Sequence, residues 1–362
     1  MKIERFKEML IEIEKERGIK EEVLMAAIKD SLLSAAKKRL KNILNLEVRL
    51  SDDGIASIFA KKIAKSEVVD ETLEIDIKEA KKLKKDIKEE EEVEYEVTPK
   101  DFGRLAAQTA KQVIIQRLRE AEKDKIFGEF TDRVGDLITG TIQRKEHGGY
   151  LVNLGKVETF LPHSEQIPGE LLREREHVKL LLVDVKKTSK GPLIVVSRSH
   201  PDFVKKLFEL EIPEIQEGIL EIKTLAREAG RRTKVAVLSN DKNVGAVGTC
   251  VGPMGQRIQS ITRELGSERV DIIEWSDKPA KFISNSLSPA KISKVVLNTE
   301  GRTARVIIPE KELSLAIGKE GQNVRLAAKL TGYKIDIISQ EQAEKEEENA
   351  SKEKTSEKNR GG

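Results

Sequence analysis

Two stretches decide the fold: Val251-Gly252-Pro253-Met254-Gly255-Gln256-Arg257-Ile258 and Ile317-Gly318-Lys319-Glu320-Gly321-Gln322-Asn323-Val324. Each is a Gly-x-x-Gly followed by glutamine, and each sits in a matching frame. The first has Arg232-Thr233-Lys234-Val235-Ala236-Val237 upstream and Val270-Asp271-Ile272-Ile273 downstream. The second has Arg302-Thr303-Ala304-Arg305-Val306-Ile307 and Ile335-Asp336-Ile337-Ile338. Offsets of 70, 66 and 65 residues make this an internal repeat whose copies differ by a few loop residues. A lone Gly-x-x-Gly says little, because 24 glycines in 362 residues give about 1.6 such pairs by chance. A third pair, Gly245 and Gly248, lacks matching flanks and reads as packing. For the repeated pairs two readings stand: a helix C-cap with its turn, or a loop that lets another backbone come close.

Each copy reads helix, strand, strand, helix, Gly-x-x-Gly, helix, strand, which resembles the prokaryotic, type II KH domain. That resemblance implies an RNA clamp, for a physical reason. Unpaired N–H groups at a helix start attract phosphate oxygens, and a side chain at either glycine would hold the sugar-phosphate strand away. The implied contacts are Gly252, Pro253, Met254, Gly255, Gln256 and Arg257 in the first copy. In the second they are Gly318, Lys319, Glu320, Gly321, Gln322, Asn323 and Arg325. Arg257 and Lys319 read as phosphate contacts or as solvated helix-start charges. Gln322 and Asn323 are donors with the same two readings, and Arg231 and Arg232 either flank the groove or are plain surface.

Working outward, residues 131–200 hold five short β segments, near 135–144, 150–154, 157–161, 177–185 and 193–197. Five strands in that length match a small OB-type barrel. Gly148-Gly149-Tyr150-Leu151-Val152 and Phe160-Leu161-Pro162-His163-Ser164 resemble the S1 motif. Phe160, His163 and Arg198 are its candidate RNA contacts, since aromatic faces stack single-stranded bases. Tyr150 fits core packing and stacking equally. Strongly RNA-binding S1 modules carry an aromatic pair in the second strand, where Gly148 and Leu151 stand here.

Residues 1–100 combine two amphipathic helices, near 2–16 and 20–40, with strands at 46–50, 55–65 and 92–98. Residues 101–130 read as a long connector helix, and the lysine- and glutamate-rich tail 341–362 as disordered. The fold class is therefore multidomain α+β: an N-terminal α+β domain (1–100), connector helix (101–130), OB barrel (131–200) and two type II KH domains (201–277 and 278–340). One cysteine, Cys250, rules out an intramolecular disulfide and suits a reducing, cytoplasmic setting. The longest apolar runs are far short of a membrane span. The histidines follow no metal spacing, and no nucleotide-binding or hydrolase motif is present. Neither an enzyme, a metal nor a cofactor is expected. The net charge of +3 hides a division: residues 131–340 carry 33 basic against 27 acidic residues, residues 1–100 carry 22 against 24.

The order of modules is similar to the NusA family of bacterial transcription factors. Phe208–Gly218, Gly248-Thr249-Cys250-Val251-Gly252, Asp271-Ile272-Ile273-Glu274-Trp275 and Gly321-Gln322-Asn323-Val324-Arg325-Leu326-Ala327 carry the likeness, which spans about residues 1–340. It implies a monomer whose N-terminal domain docks on core RNA polymerase near the RNA exit channel. The OB–KH–KH body would hold nascent single-stranded RNA, modulating pausing, termination and antitermination, the last with other Nus factors. Some members add acidic C-terminal repeats, whose function is not expected here. Two other classes are weighed against this. Polynucleotide phosphorylase, an exoribonuclease, also combines KH and S1 modules, but KH precedes S1 and large catalytic domains precede both. The other is a polymerase-independent RNA-binding or ribosome-associated KH protein, which binding of core polymerase by residues 1–130 discriminates.

Overall fold

Apolar residues four apart put Phe6 and Leu10 on one face of α1 (Phe6–Arg17), and Leu24, Ile28, Leu32 and Ala36 on one face of α2 (Glu21–Arg39). That spacing is the helical period, so all six side chains reach one core. There they meet Val48, Ile58 and Ala60 from β1 (Leu46–Leu50) and β2 (Ala56–Lys65). Central β2 pairs antiparallel with β1 and β4 (Glu92–Glu96) and parallel with the short β3 (Glu74–Asp76). The computed structural model describes residues 6–40, 43–84 and 86–346.

Besides the short β3, two elements here depart from the sequence reading. Residues 78–94 look like a solvated run of lysines and carboxylates, yet α3 (Ile77–Leu83) forms within it. Asp76 starts this helix, its carboxylate accepting the Lys78 N–H at 2.7 Å. Ala80 then joins Ala64, Ile87 and Val93 in a second, small core. The long helix α4 (Phe102–Thr131) is more than a connector. Phe102, Ala106, Ala110 and Ile114, spaced by four, are buried with α1 and α2, so its first half is a wall of the N-terminal core. These elements form one unit, Met1–Gly128; Glu129–Gly362 is the other.

In the second unit, β5 (Leu137–Glu146), β6 (Gly149–Asn153), β7 (Glu158–Pro162), β8 (His177–Thr188) and β9 (Gly191–Ser197) pair antiparallel in the order β7-β6-β5-β8-β9. Register shifts between Ile142 and Arg144 and between Leu182 and Asp184 bend the sheet. The Thr159 hydroxyl on β7 donates to the Ile194 carbonyl on β9, drawing the two ends together. Tyr150 is buried in this barrel, which resolves its double reading in favour of core.

Next come α5 (Pro201–Glu211), α6 (Pro213–Gln216), β10 (Leu220–Glu228), β11 (Arg232–Ser239), α7 (Ala246–Val251), α8 (Gln256–Leu265) and β12 (Arg269–Glu274). The pattern then recurs as α9 (Pro279–Ser286), β13 (Lys294–Asn298), β14 (Thr303–Ile308), α10 (Leu313–Ile317), α11 (Gln322–Thr331) and β15 (Lys334–Ser339). In both copies the middle strand is antiparallel to the first and parallel to the last. This is the type II KH arrangement inferred from the repeat. Gly245 and Gly248 are not packing glycines: a Cβ at either would meet nothing within 4 Å. They belong to the start of α7, with Gly245 as its N-cap.

The modules of this unit are joined by buried groups. Leu326 and Leu330 of α11 pack with Ala226, Ala236 and Ile273 of the first KH sheet, alongside Phe282 and Trp275. Lys234 is fully buried there, its Nζ 3.2 Å from the Ser288 carbonyl and 3.3 Å from Asp271. Burial pushes its amine down to about 8. The tail expectation needs correction at its start. Residues 340–346 are helical, opened by a reciprocal cap in which Gln342 N–H donates to Ser339 Oγ (3.2 Å) and Ser339 N–H to Gln342 Oε1 (3.1 Å). Residues 347–362 lie outside the described residues.

Candidate nucleic-acid interface

The two Gly-x-x-Gly loops are conformational twins. Gly252 has φ 75°, ψ 172° and Gly318 has φ 72°, ψ 172°, a region that only glycine occupies. Gly255 and Gly321 are left-handed N-caps of α8 and α11. Between them Met254 (φ 50°) and Glu320 (φ 55°) are also left-handed, which is uncommon for residues with a side chain. Chains 66 residues apart thus arrive at one shape, including its strained position.

The four glycines divide the work. A Cβ on Gly252 would come within 2.8 Å of the Arg257 side chain, and one on Gly318 within 2.8 Å of Asn323 Cβ. These first glycines let the loop fold onto the following helix. The second glycines face open ground: nothing lies within 4 Å at Gly321, and the nearest atom at Gly255 is 3.6 Å away. Only there would an added side chain obstruct an incoming strand without meeting a protein atom, the left-handed backbone being its one internal cost.

The side chains after the loops behave differently from the sequence expectation. Asn323 is fully buried, its amide donating to the carbonyls of Leu287, Leu315 and Ala316. It holds α10 and α9 to α11 and is withdrawn as an RNA contact. Arg257 meets both oxygens of Glu214 (3.0 and 2.8 Å) and the Thr249 carbonyl, so its charge is already matched. Gln322 and Arg325 both reach Glu228 of the first KH domain, at 2.9 Å and at 2.6 and 3.1 Å. Arg198 is the clearest correction. Its side chain is 5% exposed, saturated by Glu170 (2.9 Å), Glu264 (2.8 Å) and the carbonyls of Lys179 and Glu264. It fastens the barrel to the first KH domain, because a buried guanidinium needs every donor matched. Left at the surface are Pro253, Met254, Gln256, Lys319, Glu320 and, beside its ion pair, Arg325, with Met254 93% exposed.

Beside the second loop α10 presents Leu315 and Ile317, large apolar residues left at the surface. The sequence reading passed over them because their spacing of two fits no helical face. On the barrel Phe160 is 37% exposed and opposite Leu151. A Cβ on Gly149 would strike the Leu161 carbonyl at 2.2 Å and the Phe160 ring at 2.8 Å, so the glycine lets β7 and its aromatic side chain come close. His163 is exposed, with Nδ1 3.1 Å from Gln166 Oε1. Cys250 is buried and its thiol is pushed up to about 12, chemically quiet. Among the described residues no His, Cys, Asp and Glu cluster could hold a metal, and no helix is long and apolar enough to cross a membrane.

The Glu228 clamp between KH domains yields a pH prediction. The Arg325 guanidinium, helped by Gln322, holds its carboxyl down to about 2. A depressed carboxyl stabilises the fold fully above the ordinary value of 4.5 and loses that contribution as pH falls toward 2. Trp275, the one tryptophan, lies in the same interface. Its emission is expected to shift red between about pH 4.5 and 2, and Glu228→Gln to show the shifted spectrum at neutral pH.

Comparisons with known proteins agree with this architecture. Residues 5–124 match the family model of the NusA N-terminal domain, and residues 131–197 that of the S1 RNA binding domain. Residues 198–275 and 279–345 match the NusA-like first and second KH domains. The transcription termination/antitermination protein NusA of Halalkalibacterium halodurans is 48% identical over 94% of this chain and 89% of its own. That of Bacillus subtilis is 49% identical over 91% and 90%. The chain belongs to the NusA family. A solved N-terminal domain of NusA from B. subtilis is 45% identical, covering 33% of this chain and 96% of its own with a TM-score of 0.30. Within the NusA architecture the twin loops belong to the two KH domains, and Phe160 to the S1 domain.

Proposed function

We propose that this chain is a non-enzymatic elongation factor that binds core RNA polymerase through its N-terminal domain and holds nascent single-stranded RNA on its two KH loops. The observation that carries it is the paired loop geometry, with the second glycines open to solvent. RNA phosphate is met by loop backbone and helix-start N–H groups, with Lys319 and Gln256 as the nearest polar side chains. Bases lie against the apolar residues of the preceding helices, Leu315 and Ile317 in the second domain. Phe160 and His163 on the S1 barrel extend the track. Two modest sites suffice, because tethering to polymerase raises their effective concentration. Holding the transcript biases hairpin folding at the exit channel, and so pausing, termination and antitermination.

The test is transcription by core polymerase through a hairpin-dependent pause. The chain is expected to lengthen the pause, with the effect lost in Gly255→Asp/Gly321→Asp while polymerase binding persists. RNA binding without any polymerase association would favour the polymerase-independent reading instead. A smaller effect is expected at the barrel: Phe160→Ala should weaken RNA binding by about 1 kcal/mol, the low end of base–aromatic stacking, in a filter-binding assay.

A further inference from the structure

The twin loops share a shape and differ in charge at the tip. Where the first carries Met254, the second carries Glu320, with nearly the same backbone (φ 50°, ψ 23° against φ 55°, ψ 27°). A carboxylate at that point repels the phosphate that the proposed function places there. Glu320 Oε2 is 3.2 Å from Arg231 Nη1, a residue of the first KH domain 89 positions earlier. Both side chains are 62% exposed, so water screens the pair and it exchanges easily.

The turn that presents Arg231 is, by contrast, fixed. Arg231 N–H donates to the Glu228 carbonyl at 3.0 Å, and Gly230 N–H to the buried Glu268 carboxylate at 2.8 Å. Gly230 also sits so close to the barrel that a Cβ would lie 2.7 Å from the Pro168 carbonyl. From the other side Arg325 grips Glu228 and donates to the Glu320 carbonyl at 3.1 Å. An exposed guanidinium is therefore held at the mouth of the second loop by a turn fixed in the neighbouring domain.

We infer that Arg231 is a phosphate-binding residue of the second KH loop, held in reserve by Glu320, which the RNA backbone must displace. On entry of a phosphodiester the guanidinium exchanges carboxylate oxygens for phosphate oxygens, a geometry its planar fork suits. Glu320 then turns into solvent. The second loop is thus completed by the first domain and carries an internal competitor that the first loop lacks. The inference rests on the loops being RNA clamps.

The experiment uses the full chain carrying Gly255→Asp, so that the first KH loop no longer contributes. A fluorescein-labelled single-stranded RNA of about 12 nucleotides, of mixed sequence, is titrated by anisotropy at several KCl concentrations. Glu320→Gln is expected to tighten binding about threefold to tenfold, as removal of a competing anion should. Arg231→Ala is expected to weaken it by a similar factor and to reduce the log–log salt slope by about 0.7, one single-strand phosphate contact. Arg231→Lys should keep that slope. Effects of the same sign from Glu320→Gln and Arg231→Ala, or no effect from either, would overturn the inference while leaving the clamp reading intact. If the wild-type chain binds this RNA but Gly255→Asp alone abolishes binding, the second loop is no clamp, and both fall.

Discussion

Asp at both second glycines, Gly255→Asp with Gly321→Asp, is expected to reduce affinity for single-stranded RNA by roughly 100-fold or more, since each loop contributes to a linked pair of sites. The choice of glycine matters. The sequence alone makes all four equivalent, and Gly252→Asp with Gly318→Asp the natural test. In the structure those first glycines adopt a backbone open only to glycine, and a Cβ there would press on Arg257 or Asn323. Such variants would distort the loop, and lost binding would carry no information about RNA. Gly255 and Gly321 are left-handed at φ 74° and 71°, a conformation aspartate tolerates, with open space outward. The added carboxylates then meet the ligand and no neighbouring side chain. Gly255→Asn with Gly321→Asn, equal in size and uncharged, should fall between wild type and the Asp pair. Unchanged polymerase binding and an unfolding midpoint no lower for the Asp pair than for the Asn pair complete the expected result, read by anisotropy, co-purification and thermal melting.

The largest loss of stability is expected from Glu268→Ala, at about 3–5 kcal/mol, the usual cost of stranding one partner of a buried ion pair. The Glu268 and Arg227 side chains are 0% and 1% exposed. Glu268 accepts from Arg227 Nε (3.0 Å) and Nη2 (2.9 Å), Gly230 N–H (2.8 Å) and the Thr233 hydroxyl (2.5 Å). Arg227 Nη1 also donates to the carbonyl of His200, the N-cap of α5, at 2.7 Å. Truncating Glu268 leaves a guanidinium in the interior with two donors unmatched. Replacing both partners with apolar residues of similar size, Arg227→Met with Glu268→Leu, should be far milder, since no charge is then stranded. Denaturant unfolding followed at Trp275 separates the cases. A single variant as stable as wild type would show that the pair is not desolvated.

The fold was largely legible because its signals are local or repeated. Helical spacing exposed the faces of α1 and α2, alternation and glycine turns the barrel strands, and the repeat both KH domains. What stayed hidden depends on partners far along the chain. Nothing near Arg198 indicates that Glu264, 66 residues later, takes its guanidinium. Nothing near Arg325 indicates Glu228, 97 residues earlier. An arginine or asparagine after a glycine loop looks the same in sequence whether it faces RNA or a neighbouring carbonyl. α3 escaped for another reason: one alanine, Ala80, is its buried residue, too little for an apolar period. The glycines were found, but their division into two that fit the protein and two that face outward needs the atoms around each Cβ.

The central claim is that nascent RNA runs across both KH loops of the polymerase-bound chain. The most direct measurement is photo-cross-linking in a stalled elongation complex, with 4-thiouridine stepped along the emerged transcript. The account predicts cross-links to residues 253–256 from one set of positions and to residues 319–322 from another, Met254 strongest for its exposure. Cross-links confined to the S1 barrel, or none to either loop while the chain remains bound to polymerase, would contradict it.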